Sequence, residues 1–315
     1  MKTTLDEKKK KNKSRYPRRI FTQQRDIDIL NFIFKWRIAS TDTIYRVFFP
    51  NAEHPKAAYD RLMVLERSGL VHKVKEGYQN KVWSLTIKGL EIAPQQKYAE
   101  TLLKKSIKSS SIEHDLLIQA TMLGSSIEDK GKYFQCFSEN LLFSLDIDLL
   151  KEATQLRLEH RPDGLWIIPS ETQNAYGLFL LEVELNLKSK ERYKTLASQL
   201  SLERNCNGLI WIVRHPSNAR KIQNDLSSSS ASEKLMAQHF FLVDEIKEQG
   251  WKSLSIQGPS QGLSLFEILF EKSLQNTRKN LRKTLGTNSS YVYFQNSFCP
   301  RKSTRKEAHA HTLKS

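Results

Sequence analysis

Two glutamates, Glu182 and Glu184, interrupt the apolar run GLFLLEVEL at residues 177–185. Side chains alternate faces along a strand, so both carboxylates project to one side, near its C-terminal end. Nineteen positions before Glu182, in HRPDGLWIIP, Asp163 opens a second apolar run. If the two runs pair antiparallel through the short connection at 169–176, Asp163 lies beside Glu182. Carboxylates that close repel, and one takes up a proton unless a cation joins them. A hard divalent cation such as Mg²⁺ accepts oxygen ligands and tolerates only a few protein carboxylates. Held so, it polarises a phosphodiester and activates water, as in nucleases. The spacing therefore nominates Asp163 and Glu182 as metal ligands, Glu184 as a third acidic ligand, and Lys188 or Lys190 as the cation near a phosphate. Glu113 and His114, in SIEHDLL, are accessory candidates. Glu113 is a further carboxylate for the metal. His114 is either an acid–base or ligand group, or a histidine bonded to a backbone carbonyl near the core.

These residues need a sheet to hold them. The segment SIEHDLLIQATMLGSSIE has the apolar spacing of an amphipathic helix. Strand-like runs follow near 133–137, 165–168, 178–185, 209–213 and 239–243, with helical stretches around 189–203 and 217–226. Helix, three strands, helix, strand, helix, strand predicts an α/β unit, a mixed sheet covered by helices. The strands are near-continuously apolar, which predicts a sheet buried on both faces.

Upstream lies a different pattern. Ile27, Leu30, Ile33 and Phe34 recur at helical spacing, with Thr22 as the expected N-cap. A short helix after Thr41 is stopped by Pro50. A third runs through HPKAAYDRLMVLERSGL, with Ala58, Leu62 and Leu65 inward, Pro55 in the first turn and Gly69 at the C-terminal cap. An alternating stretch, LVHKVKEGYQNKVWSLT, then reads as a hairpin. Three helices and a hairpin is the order of a winged helix-turn-helix, whose third helix enters the major groove. That places Lys56, Tyr59, Asp60 and Met63 toward the groove, leaves Arg61 to reach a phosphate or brace the helix, and offers Lys73, Lys75 and Lys81 on the hairpin to the DNA backbone. The expected organisation is a basic arm at 1–19, the winged helix at 20–96, a linker at 97–111, the α/β unit at 112–250, and an amphipathic then basic helix with a tail at 251–315.

Charge separates these parts. The chain has 315 residues and a formal net charge of +16. Residues 1–19 hold nine Lys/Arg against two acids, and residues 272–315 hold ten against one, so the two ends carry the whole surplus. Cationic arms of this kind suit double-stranded DNA, drawn to its phosphates without regard to sequence. Three well-separated cysteines (Cys136, Cys206 and Cys299) argue against a disulfide framework or a cysteine zinc site and point to a reducing cytoplasm. No apolar stretch approaches bilayer-spanning length, so no membrane role is expected.

The Asp163 and Glu182-Val183-Glu184 pattern, in this order of elements, resembles the PD-(D/E)xK restriction-endonuclease-like fold. It departs from that pattern where lysine is expected, since Glu184 stands there. A narrower resemblance covers roughly residues 20–215: TQQRDIDIL at 22–30, HDL at 114–116, RPDG at 161–164, LEVE at 181–184 and ERY at 191–193 are similar to the replication-relaxation family. That resemblance implies a bacterial DNA-binding accessory protein of plasmid or mobile-element replication or mobilisation, nucleoid- or plasmid-associated, with a relaxase or replication protein as partner and a homodimer as candidate assembly. Its nuclease-like unit is expected not to cut, because the lysine is missing. The alternatives are an Mg²⁺-dependent endonuclease or nickase using Asp163 and Glu182, and a transcriptional regulator. The chain has no phosphate-cradling Gly-Lys-Ser/Thr loop for an ATPase. The only His-x-His pair, His309 and His311, lies in the tail, away from any strand that a relaxase metal site would need.

Overall fold

The structure is a computed structural model that describes residues 23–74, 81–92, 109–128, 134–144, 154–169 and 176–275. Lys75, both basic arms as far as residue 22 and from residue 276, and most of the expected linker lie outside the described residues.

The front unit opens with α1 (Gln24–Trp36). Its N-cap is Gln23 rather than Thr22, because the Asp26 carboxylate reaches back and accepts from the Gln23 N–H at 3.0 Å. A two-residue strand β1 (Ala39–Ser40) leads into α2 (Thr41–Phe48), capped by the Ser40 hydroxyl, and then α3 (Lys56–Arg67). Helix α3 ends as its sequence expects. Gly69 takes φ +70°, its N–H donates to Glu66 O, and the Leu70 N–H donates to Leu65 O. This closure satisfies the last-turn carbonyls, and only glycine adopts that backbone without strain. Strands β2 (Val71–Lys73) and β3 (Val82–Leu85) form the hairpin, β1 pairs on the other side of β3, and α4 (Ile87–Ile92) follows. Ile29, Leu30, Ile33, Ile44, Leu62, Leu65 and Trp83 fill the core of this unit.

The second unit is a five-stranded mixed sheet in the order β4-β5-β6-β7-β8, with β4 (Gln135–Ser138), β5 (Gly164–Pro169), β6 (Tyr176–Glu184), β7 (Gly208–Val213) and β8 (Ala237–Leu242). The β4–β5 and β5–β6 pairs are antiparallel, and β6–β7 and β7–β8 are parallel. Its helices are α5 (Ser109–Glu128), α6 (Glu139–Ser144), α7 (Lys190–Leu200), α8 (Pro216–Ser227), α9 (Val243–Gln249) and α10 (Leu265–Gln275). Alternate β6 residues serve opposite faces. Leu178 and Leu180 pack with Tyr193 and Leu196 of α7 and Ile222 of α8. Phe179, Leu181 and Val183 pack with Leu117, Met122, Ile246, Ile268 and Leu269 of α5, α9 and α10.

Two boundaries differ from expectation. Helix α5 begins at Ser109, inside the expected linker, and kinks at Gly124, whose φ is +27°. A Cβ there would collide with the Trp251 indole, whose N–H donates to Thr121 O at 2.6 Å. The unit also continues past residue 250: Trp251, Leu265, Ile268 and Leu269 are buried in its core, so the end set at 250 falls inside packed structure. The sequence shows α10 as amphipathic, and the sheet supplies its apolar partner.

Candidate functional site

Register brings the acids together. Gly164 pairs with Leu181, so Asp163, one step before β5, stands beside Glu182. Glu182 and Glu184 sit on one face of β6, each only 4% exposed. Gathering three carboxylates, two of them buried, in one place is costly unless each finds a counter-charge. Each finds one within the chain.

Glu182 Oε1 lies 2.6 Å from His160 Nε2. Burial and the Asp163 charge push the Glu182 pKa up, while His160 pulls it back. Burial works against the charged His160 ring, but Glu182 outweighs it and raises the His160 pKa. The pair thus keeps a proton between its two members. Glu184 Oε2 makes no aligned hydrogen bond; its counter-charge is the Lys188 ammonium at 2.8 Å. The Tyr193 hydroxyl accepts from the Lys188 N–H at 3.1 Å, and burial together with Glu184 raises its pKa. Asp163 Oδ2 accepts from the Val183 N–H at 2.8 Å and lies 3.3 Å from His114 Nε2.

His114 is bonded to a backbone carbonyl beside the acids. Its Nε2–H donates to Val183 O at 3.0 Å, and the ring stands between Asp163 and Asp115, with Nδ1 3.6 Å from Asp115 Oδ1. Burial opposes the charged ring, but the two carboxylates outweigh it and raise its pKa from 6.5 to about 10. Asp115 in turn lies 3.4 Å from Arg37 Nη1 in the front unit. Four carboxylates (Asp115, Asp163, Glu182 and Glu184) therefore meet four cations (Arg37, His114, His160 and Lys188) in one network.

The remaining candidates lie elsewhere. Glu113, on α5, bonds Arg214 at 2.8 Å and Lys247 at 3.2 Å, tying α5 to the ends of β7 and α9. Burial raises its pKa, but the two cations outweigh burial and hold it low. Lys190 is exposed on the first turn of α7, while Lys188 is the residue that turns back to the acids. Sequence reasoning missed His160 altogether. Its signal was faint, a histidine two residues before Pro162, and only the turn into β5 brings it to Glu182.

As arranged, one oxygen of each acid is engaged within the chain: Asp163 Oδ2 by Val183 and His114, Glu182 Oε1 by His160, and Glu184 Oε2 by Lys188. Among the described residues, no three His, Cys, Asp or Glu side chains are arranged to hold a metal.

On the front unit, Lys56 and Asp60 are exposed on α3, and Tyr59 and Met63 are half-buried against the core. Lys81 Nζ donates to the Tyr59 hydroxyl at 2.8 Å, joining hairpin to helix, and Lys73 Nζ lies 3.1 Å from Glu66. Arg61 braces the helix: its guanidinium holds the Asp26 carboxylate, which is 0% exposed, through Nε at 2.6 Å and through Nη2.

These features define an α/β protein in which a three-helix-and-hairpin unit is joined to a mixed sheet with a self-neutralised acidic edge. Residues 30–197, more than half of the chain, match the family model of replication-relaxation proteins, and the chain belongs to that family. The short motifs scattered along the sequence are the ones that meet in space: His114 and Asp115, Asp163, Glu182 and Glu184, and Tyr193. No curated protein and no solved structure matches the chain. Membership points to a role related to replication or mobilisation. Among the described residues, no helix is long and apolar enough to cross a membrane.

Proposed function

We propose that this protein is a double-stranded-DNA-binding accessory factor of plasmid or mobile-element replication or mobilisation, in which the front unit reads a site and the sheet unit serves as a docking scaffold rather than a nuclease. The observation that carries the first half is the surface formed by Lys56 and Asp60 on α3 with Lys73 and Lys81 on the hairpin, clamped together by the Lys81–Tyr59 bond. Helix α3 would enter the major groove, with Lys56 and Tyr59 nearest the bases. The hairpin lysines would sit against the phosphates. The second half is supported by the acidic edge, where the chain's own His114, His160 and Lys188 pair with the carboxylates.

Binding of labelled duplexes from DNA flanking its own gene tests this reading. The wild type binds one duplex in preference to competitor DNA, and replacing Lys56 by alanine, or Tyr59 by phenylalanine, which keeps the ring that packs on the core, weakens the preference. Equal affinity for all duplexes, in wild type and variants alike, overturns it. A second reading, an Mg²⁺-dependent nickase, draws on the adjacency of Asp163 and Glu182, where the charge of one raises the pKa of the other. Supercoiled plasmid with Mg²⁺ or Mn²⁺ separates the two. Nicking lost in Asp163→Ala would establish the nickase, and unaltered plasmid alongside site binding supports the scaffold.

A further inference from the structure

Lys35, near the end of α1, is only 7% exposed, a costly place for an ammonium. Among the described residues, no carboxylate lies within ion-pair distance of it. Its Nζ points instead at the sulfur of Cys136 on β4, 3.3 Å away, and lies 5.1 Å from the centre of the Trp36 ring. Cys136 is a free thiol, half-buried, 101 positions along the chain in the other unit. The backbone fixes this pairing from both sides. The Ser138 hydroxyl donates to Lys35 O, and the Asn140 amide donates to Phe34 O, so the segment carrying Cys136 caps the end of α1. Cys206 differs. It is buried in its own unit, its thiol donates to Leu178 O and Gly208 O, and burial pushes its pKa up to about 12.

We propose that Lys35 and Cys136 are a covalent modification site, an oxidant-driven sulfur–nitrogen crosslink that locks the front unit to the sheet unit. The oxidant is a hydroperoxide, and the reacting form is the ammonium–thiolate pair, since the thiolate is the nucleophile. The Cys136 sulfur attacks one peroxide oxygen and the O–O bond breaks. The departing hydroxide takes a proton from the Lys35 ammonium and leaves as water. Sulfur is oxidised by two electrons and peroxide is reduced by the same two. A sulfenic acid now faces a neutral amine. Sulfenic acids are captured by nearby nitrogen as sulfenamides. The Lys35 lone pair attacks sulfur, the S–O bond breaks, and the leaving hydroxide collects one amine proton as a second water. The net change is the loss of two hydrogens from the thiol and amine to one peroxide, and a thiol reductant reverses it.

The test is intact-mass and peptide mapping of the full chain after treatment with hydrogen peroxide. The wild type should lose two hydrogens, yield one linked peptide containing Lys35 and Cys136, lose alkylation at Cys136, and recover on reduction. Lys35→Arg keeps the charge but cannot be captured in this way; it should halt at oxygen adducts on Cys136 with no linked peptide. Melting of the crosslinked wild type should shift upward relative to its reduced form, because a closed loop restricts the unfolded chain. A wild type that gains only oxygens at Cys136, or whose linked peptide joins two cysteines instead, overturns the proposal. So does a Lys35→Arg variant that gives the same linked product.

Discussion

At the scale of residues, the chain repeatedly buries charge against charge. Asp26 is the clearest case, fully enclosed and satisfied by Arg61 and the Gln23 N–H. Removing one partner of a buried pair strands the other, at about 3–5 kcal/mol. Arg61→Ala should therefore lower unfolding free energy by about that amount in a urea titration. A variant of unchanged stability that nonetheless loses DNA affinity would reassign Arg61 to phosphate contact. His114 gives a pH signature. Its folded pKa, about 10, stands above its ordinary 6.5. The charged ring then binds its proton more tightly folded than unfolded, so its contribution is complete below 6.5 and is lost as pH rises through about 10. Wild-type stability should fall across that interval more steeply than in His114→Gln, as read by thermal melts at successive pH values. Parallel curves would show that Asp163 and Asp115 do not hold the proton there. The glutamates raised the right question in sequence, since alternation alone put them on one face. Their partners were not legible, because His160 and His114 arrive from segments 22 and 68 positions away from Glu182.

At the scale of elements, caps and close approaches decide where helices stop. The Gly69 turn joins α3 to β2 with φ +70°, and a side chain there costs roughly 1–2 kcal/mol in the left-handed region. Gly69→Ala should lose about that much stability in a denaturant titration, and it should also weaken site binding by displacing the hairpin relative to α3. A binding constant unchanged at equal occupancy would show that hairpin placement does not matter. Most of these elements could be read directly, because apolar periodicity and turn residues are local. The α6 turn was not, since six residues, Glu139–Ser144, are too few to show a period. The kink in α5 was hidden for a different reason. Glycine within a helix signals weakness but does not say that a tryptophan from residue 251 will fill the space beside it.

At the scale of the whole molecule, the two units share a seam. Carbonyls in the last turn of α1 are taken by Ser138 and Asn140, Gln119 reaches Ile38 O just beyond it at 3.1 Å, and Arg37 meets Asp115 across the seam. Ile38 and Val82 of the front unit are buried with Ile112 of α5. The two units should unfold in one calorimetric transition, and Ser138→Ala combined with Gln119→Ala should split it into two. Two transitions already present in the wild type would mean the seam is too weak to couple them. The basic arms make a separate prediction. Removing residues 1–19 and 276–315 should flatten the salt dependence of DNA binding while leaving site preference in place, because phosphate contacts release counterions and base contacts do not. An unchanged slope would show that the arms stay clear of the duplex.

The sequence alone determined the types and order of most of the helices and strands, the concentration of positive charge at the two ends, and the placement of Glu182 and Glu184 on a common face. All of these follow from near-neighbour spacing, which short-range sterics and burial translate directly into structure. Only the tertiary structure decided that the acids are neutralised by His114, His160 and Lys188, that Arg61 is a brace, and that Lys35 faces Cys136. Most of these pairings join residues far apart in the chain. Charge compensation in a low-dielectric interior depends on distance in space, and folding alone sets that distance.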